Sequence, residues 1–118
     1  MPPVLIDPLR GSYFDYASKY AQDGARELCP APLDAAVLTK IQQDALLVHR
    51  TLGLQGLSRS DFILDRQNTL YFLEVNTLPG MTKTSLVPKE ALAMGMTFPE
   101  LLERFIELAL QKEQKNAL

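Results

Sequence analysis

The run Ser58-Arg59-Ser60-Asp61-Phe62-Ile63-Leu64-Asp65-Arg66-Gln67-Asn68-Thr69-Leu70-Tyr71-Phe72-Leu73-Glu74-Val75-Asn76 governs the reading of this chain. Residues 60–65 and 69–75 are rich in apolar, β-branched and aromatic side chains. Between them Arg66-Gln67-Asn68 supplies a turn, with Asn68 tolerant of positive φ. The pattern predicts a β-hairpin. With a two-residue loop at Gln67-Asn68, Asp61 lies opposite Glu74 and Arg59 opposite Asn76. Side chains two apart on a strand share a face. Arg59, Asp61, Glu74 and Asn76 then gather at one end of one face, while Phe62, Leu64, Tyr71, Leu73 and Val75 line the other.

Two carboxylates directly across a strand pair repel each other. Three arrangements relieve this: one carboxyl stays protonated, Arg59 bridges both, or a divalent cation binds. Hard cations such as Mg²⁺ take carboxylate and amide oxygens, typically beside substrate phosphates, and Asp61, Glu74 and the Asn76 amide oxygen suit that task. A surface hairpin with an Arg–carboxylate network uses the same residues without a metal, and a slip of one residue in register would break the set apart. Beyond the hairpin, Thr77-Leu78-Pro79-Gly80 is a turn whose glycine permits close backbone approach. Met81-Thr82-Lys83-Thr84-Ser85 then offers hydroxyls and amides suited to a carboxylate or phosphate. Standing alone it is equally a Ser/Thr-rich connection; beside a cation site it becomes a substrate pocket.

Working outward, Val4-Leu5-Ile6 forms a short strand closed by Asp7-Pro8. Tyr13, Phe14, Tyr16 and Tyr20 share no clean period and lie in a long loop, either a functional lid or a cover for a core edge. After Pro30-Ala31-Pro32, Asp34 caps a helix whose apolar stripe is Leu33, Val37, Ile41, Ala45, Val48 and Leu52, with Gly53 as its stop. Lys89–Met94 forms a short helix ended by Gly95. Thr97-Phe98-Pro99-Glu100 is a capping box for a last helix that buries Leu101, Leu102, Phe105, Leu108 and Ala109, and residues 111–118 form a polar, fraying tail. The fold class is α+β: a mostly antiparallel sheet including the hairpin, with helices packed over it.

At 118 residues the chain is one domain or a piece of one, and 47% hydrophobic against 22% charged residues excludes a wholly disordered chain. A net charge of −2 argues against nucleic-acid binding, and no apolar run is long enough to span a bilayer. Met1–Pro8 carries no charged leader and does not read as a signal peptide. Cys29 is the single cysteine, so no intrachain disulfide forms and a reducing cytoplasm fits. His49 is the single histidine and reads as a partly exposed helix residue; a Cys29–His49 nucleophilic pair has no local support.

The stretches Ser58–Phe62, Leu73–Thr82 and Ser85–Pro88, with Phe14-Asp15-Tyr16, Lys19-Tyr20 and Leu28–Ala31 upstream, resemble the C-terminal part of the D-alanine–D-alanine ligase family, a branch of the ATP-grasp ligases. The resemblance covers nearly the whole chain, and the run Glu74–Leu86 is its most specific part. It implies that residues 1–118 form one C-terminal ATP-grasp domain, with a lid at about 9–32. By the same resemblance, Asp61, Glu74 and Asn76 hold two Mg²⁺ (or Mn²⁺) ions and Arg59 stabilises charge on the transferring phosphate. Lys19 reaches the terminal phosphate of ATP, Leu73 touches adenine, and Tyr20 belongs to the lid contact with the first domain. Gly80, Ser85 and Leu86 hold the second D-alanine. The implied activity is cytoplasmic ligation of two D-alanines through an acyl phosphate, for peptidoglycan synthesis. Family members run to roughly three hundred residues, so N-terminal and central domains are the implied partners, in a parent that forms a homodimer. The fragment alone is expected not to turn over. The competing expectations are a non-catalytic cation-, nucleotide- or partner-binding module, and another ATP-grasp carboxylate–amine ligase.

Overall fold

The structure is a computed structural model that describes residues 1–8 and 25–116. Its elements are β1 (Leu5–Pro8), β2 (Ala25–Leu28), α1 (Ala35–Thr51), β3 (Arg59–Leu64), β4 (Leu70–Asn76), α2 (Leu86–Ala93) and α3 (Phe98–Asn116). The α+β class holds. The strands form two separate antiparallel pairs, β1–β2 and β3–β4, where the sequence suggested one sheet. Strand β2 has no counterpart in the sequence reading; its four residues Ala-Arg-Glu-Leu alternate too briefly to announce a strand. It pairs with β1 so that Asp7 faces Arg26, and these two side chains form an exposed ion pair at 3.5 Å. Pro8 is thus the end of β1 rather than its terminator.

Helix α1 shows a half-buried stripe that includes Val37, Ile41, Ala45 and Val48, as its spacing predicts, whereas Leu52 is exposed. Asp34 occupies the N-cap position, but its side chain makes no capping hydrogen bond. The C-terminus closes as a Schellman motif: Gly53 at φ 63° donates to the Arg50 carbonyl at 3.0 Å, and Leu54 donates to His49 at 2.9 Å. The same device ends α2, with Gly95 at φ 80° donating to Leu92 and Met96 to Ala91. Helix α2 begins three residues earlier than the sequence reading allows, because Pro88 sits in its first turn, where the missing N–H has no intrahelical partner to lose.

The core lies between α2 and α3. Val87 (1% exposed), Ala91 (1%) and Leu101 (2%) form it, with Leu57, Met81, Met96 and Phe105 packed around them. Thr97 caps α3: its N–H and its hydroxyl both donate to Glu100 Oε2 at 2.7 Å. Leu101, Phe105 and Leu108 face inward, but Leu102 and Ala109 do not. The helix continues through residues 111–116, where the polar sequence predicts a fraying tail.

The hairpin departs from the expected turn in a way that preserves its base. Leu64 pairs with Leu70, leaving residues 65–69 as the turn. Asp65 Oδ1 accepts from the N–H of Gln67 and of Thr69, both at 2.8 Å, and Asn68 takes φ 61°. The turn is wider than two residues, and a β-bulge in β4, where Leu73 is left unpaired between the partners of Asp61 and Phe62, absorbs the difference. Below the bulge the register is the expected one. Above it, Phe72 rather than Leu73 opposes Phe62, the two rings meeting edge to face at 5.7 Å. Tyr71 opposes Ile63, and both are about half exposed (53% and 54%), so Tyr71 does not share a face with Phe62, contrary to the alternation.

The turn carries a pH dependence. Bonds from Thr69 and then Gln67 to the Asp65 carboxylate hold its pKa below the usual carboxylate value. A lowered folded pKa means stability that is present above the unfolded value and lost as pH falls through the folded one. Asp65→Ala is therefore expected to lower the melting temperature at pH 7, with the gap to wild type closing below about pH 3. Thermal melts at the two pH values check this; an equal gap at both would contradict it.

Candidate functional site

Below the bulge, strand pairing sets Asp61 opposite Glu74 and Arg59 opposite Asn76. The four side chains therefore occupy one face at one end of the hairpin, the juxtaposition expected from the sequence. Of the three ways to relieve the paired carboxylates, the guanidinium takes a one-sided form. Arg59 Nε donates to Asp61 Oδ1 at 2.9 Å and its terminal nitrogen to Oδ2 at 3.0 Å, a bidentate clamp on one carboxylate. This bond, above all, pushes the Arg59 pKa up, with lesser contributions from Asp61, Glu74 and Glu90 as charges. Among the described residues Glu74 accepts no hydrogen bond from a side chain. One guanidinium thus faces two carboxylates. Asn76 Oδ1 accepts the Leu78 N–H at 2.9 Å, which orients the amide at the start of the Thr77–Gly80 turn.

These contacts define the donor set that a cation would meet. It comprises two carboxylates and an oriented amide oxygen, all hard oxygen donors. Each carboxylate oxygen has a second acceptor direction, so the Arg59 clamp leaves Asp61 able to coordinate. Among the described residues no group of three His, Cys, Asp or Glu side chains converges. A cation here would draw its further ligands from water or a phosphate, the habit of Mg²⁺. The residues fit such an ion.

A cleft of about 530 Å³ runs past this face, lined among others by Arg59, Asp61, Leu73, Glu74, Leu86 and Glu90. Arg59, Asp61, Glu74, Leu73 and Leu86 are thus brought to one cleft, while Asn76, Gly80 and Ser85 are not among its lining residues. Gly80 packs against Ser85: a Cβ added to the glycine would lie 2.8 Å from Ser85 Oγ. Lys19 and Tyr20, and with them most of the expected lid, lie outside the described residues.

Three residues escaped the sequence reading. Glu90 lines the cleft and also a second one of about 550 Å³ beside His49 and Ser58. Burial pushes its carboxyl up to about 7, against the pull of the N-terminal amine and Arg59. Its signal was an acid among apolar residues one helical turn after Leu86. Ser60 has a buried hydroxyl with no partner among the described residues, between the two clefts. Ser58 Oγ lies 2.7 Å from His49 Nδ1, so His49 serves the junction between α1 and the hairpin. Cys29 instead lies 3.8 Å from the Lys89 carbonyl, and Lys89 pairs with Glu27, so the lone thiol belongs to the seam between β2 and α2.

An α+β chain with this hairpin has the architecture of the C-terminal domain of ATP-grasp ligases. The family model described as "D-ala D-ala ligase C-terminus" matches residues 5–107, and the chain belongs to that family. It is 57% identical over 115 residues to the D-alanine--D-alanine ligase of Lawsonia intracellularis, covering 98% of this chain and 38% of the relative. It is 54% identical over 118 residues to that of Desulfovibrio desulfuricans, covering 100% of this chain and 39% of the relative. The structure is similar to the D-alanine--D-alanine ligase of Bacillus anthracis complexed with ATP, with a TM-score of 0.79 at 31% identity, over 98% of this chain and 37% of that one. The chain spans less than two fifths of the length of these relatives. Among the described residues no helix is long and apolar enough to cross a membrane.

Proposed function

We propose that these residues are the C-terminal, cation- and acceptor-binding part of an ATP-dependent, ADP-forming D-alanine–D-alanine ligase. The observation that carries this is the opposition of Asp61 and Glu74 beside the Arg59 clamp, on a strand leading through Asn76 into the Gly80–Leu86 loop. In the reaction, ATP phosphorylates the carboxylate of one D-alanine, the amine of a second attacks the acyl phosphate, and ADP and phosphate leave. Phosphoryl transfer depends mainly on positioning and charge stabilisation, so no enzyme nucleophile is needed. Asp61, Glu74 and Asn76 would hold Mg²⁺ or Mn²⁺, which supplies charge neutralisation at the phosphates. Arg59 offers its guanidinium to the developing negative charge, and its fork suits a phosphate as well as it suits Asp61. Leu73 contributes apolar surface for the adenine and Lys19 a charge for the terminal phosphate. Ser85 and the Leu86 N–H hold the carboxylate of the second D-alanine beside Gly80. Tyr20 belongs to the lid. The product serves peptidoglycan synthesis in the cytoplasm, and the remaining domains and a second subunit complete the enzyme.

The test is ADP release by the full reading frame that contains these 118 residues, with D-alanine, D-lactate or no acceptor. Release that requires D-alanine is the expected result. Release with none of the acceptors from a folded protein would leave a binding module as the better account, and release specific to another amine would leave a different ligase.

A further inference from the structure

Ser85 occupies the N-cap of α2 with φ −73° and ψ 156°, yet its side chain makes no capping hydrogen bond. An N-cap serine ordinarily accepts from the N–H of the second or third helical residue. The third here is Pro88, which has none, and Val87 is left without a side-chain cap. The hydroxyl turns the other way. The Thr82 N–H donates to Ser85 Oγ at 3.0 Å, and Thr82 Oγ1 lies 2.8 Å from the same oxygen. The Ser85 N–H in turn donates to the Thr82 carbonyl at 2.9 Å, which closes the turn. Thr84 Oγ1 lies 3.3 Å from Thr82 Oγ1. From the other side, the Gly80 backbone approaches so closely that a Cβ would stand 2.8 Å from Ser85 Oγ.

We propose that Thr82 is a positioning residue for the acceptor substrate: it holds the Ser85 hydroxyl away from the helix and directs its proton toward the acceptor's carboxylate. The proposal rests on the assignment of Ser85 to the second D-alanine. A hydroxyl has one proton and two acceptor directions. The Thr82 N–H fills one acceptor direction, and in the proposed arrangement the Thr82 hydroxyl is the donor of its pair with Ser85 and fills the other. The Ser85 proton is then the group's only remaining valence, and a carboxylate, which can only accept, is its complement. With Ser85 kept out of the capping position, the first-turn N–H groups of α2 also remain open to the same anion. Thr82 touches no reacting atom in this scheme; it acts through Ser85.

The test is steady-state kinetics on the full reading frame, with D-alanine and ATP varied separately, for Thr82→Val, Thr82→Ser, Ser85→Ala and the double variant Thr82→Val/Ser85→Ala. Valine keeps the shape and the backbone N–H but loses the hydroxyl. Thr82→Val is expected to raise the acceptor KM about tenfold, the loss of one hydrogen bond's worth of orientation, with the ATP KM unchanged. Thr82→Ser should restore it, and Thr82→Val should add nothing to Ser85→Ala. If Ser85→Ala leaves the acceptor KM unchanged, the assignment of this loop to the acceptor fails and the proposal falls with it. If Ser85→Ala raises that KM and Thr82→Val does not, the assignment stands and the positioning role is overturned. Equal damage to the ATP KM and to thermal stability, unrescued by serine, would make Thr82 merely structural and overturn it as well.

Discussion

Glutamine in place of Glu74 is expected to cut D-alanine-dependent ADP release by the full-length protein at least about a hundredfold, since even groups that only support metal ligands typically cost 10–100-fold. The substitution keeps shape and length and removes one negative charge. Glu74 is exposed on β4 and, among the described residues, accepts no side-chain hydrogen bond, so the fold has little to lose. Removing one of two opposed carboxylates also relieves their repulsion, and the hairpin should be no less stable. The diagnostic result is therefore a loss of turnover with unchanged circular dichroism and melting temperature, partly recovered at high Mg²⁺. Turnover within threefold of wild type would remove Glu74 from the cation site.

The largest effect on stability is expected at Leu101, which is 2% exposed against Val87 and Ala91. Leu101→Ala should cost about 2–5 kcal/mol, the range for truncating a leucine in a packed core. Its sequence neighbour makes the control. Leu102 is 39% exposed, and Leu102→Ala should stay near the few tenths of a kcal/mol typical of surface positions. Urea unfolding of both variants separates the two. Similar midpoints would mean that the core between α2 and α3 is not where the structure puts it.

Leu101 and Leu102 also show how far the sequence could be read. Both are apolar and adjacent at the start of α3, and a helical stripe of about 100° or more can admit either. Only the partner, the Val87–Ala91 face of α2, decides between them. Glycine and capping signals read better because they act locally: Gly53, Gly95 and Thr97 with Glu100 do what their positions predict. Asp34 did not cap with its side chain, and β2 was missed, since a four-residue strand is defined by its partner more than by its composition. The opposition of Asp61 and Glu74 was legible from alternation and turn length. Glu90 was not, because a cleft wall assembles across segments that sequence spacing does not connect. Thr82 was legible only as one hydroxyl of the 81–85 run; which hydroxyl holds Ser85 follows from the fold of the turn.

The bulge at Leu73 divides the hairpin into two parts that differ in side-chain phase. The tip is timed by the Asp65–Asn68 turn, and the base by the Arg59–Asn76 and Asp61–Glu74 pairs. One residue of mismatch between tip and base is taken up there, so the phase of residues 70–72 and that of Glu74 need not agree. The tip can thus follow the bonds of its own turn while the two carboxylates keep their alignment.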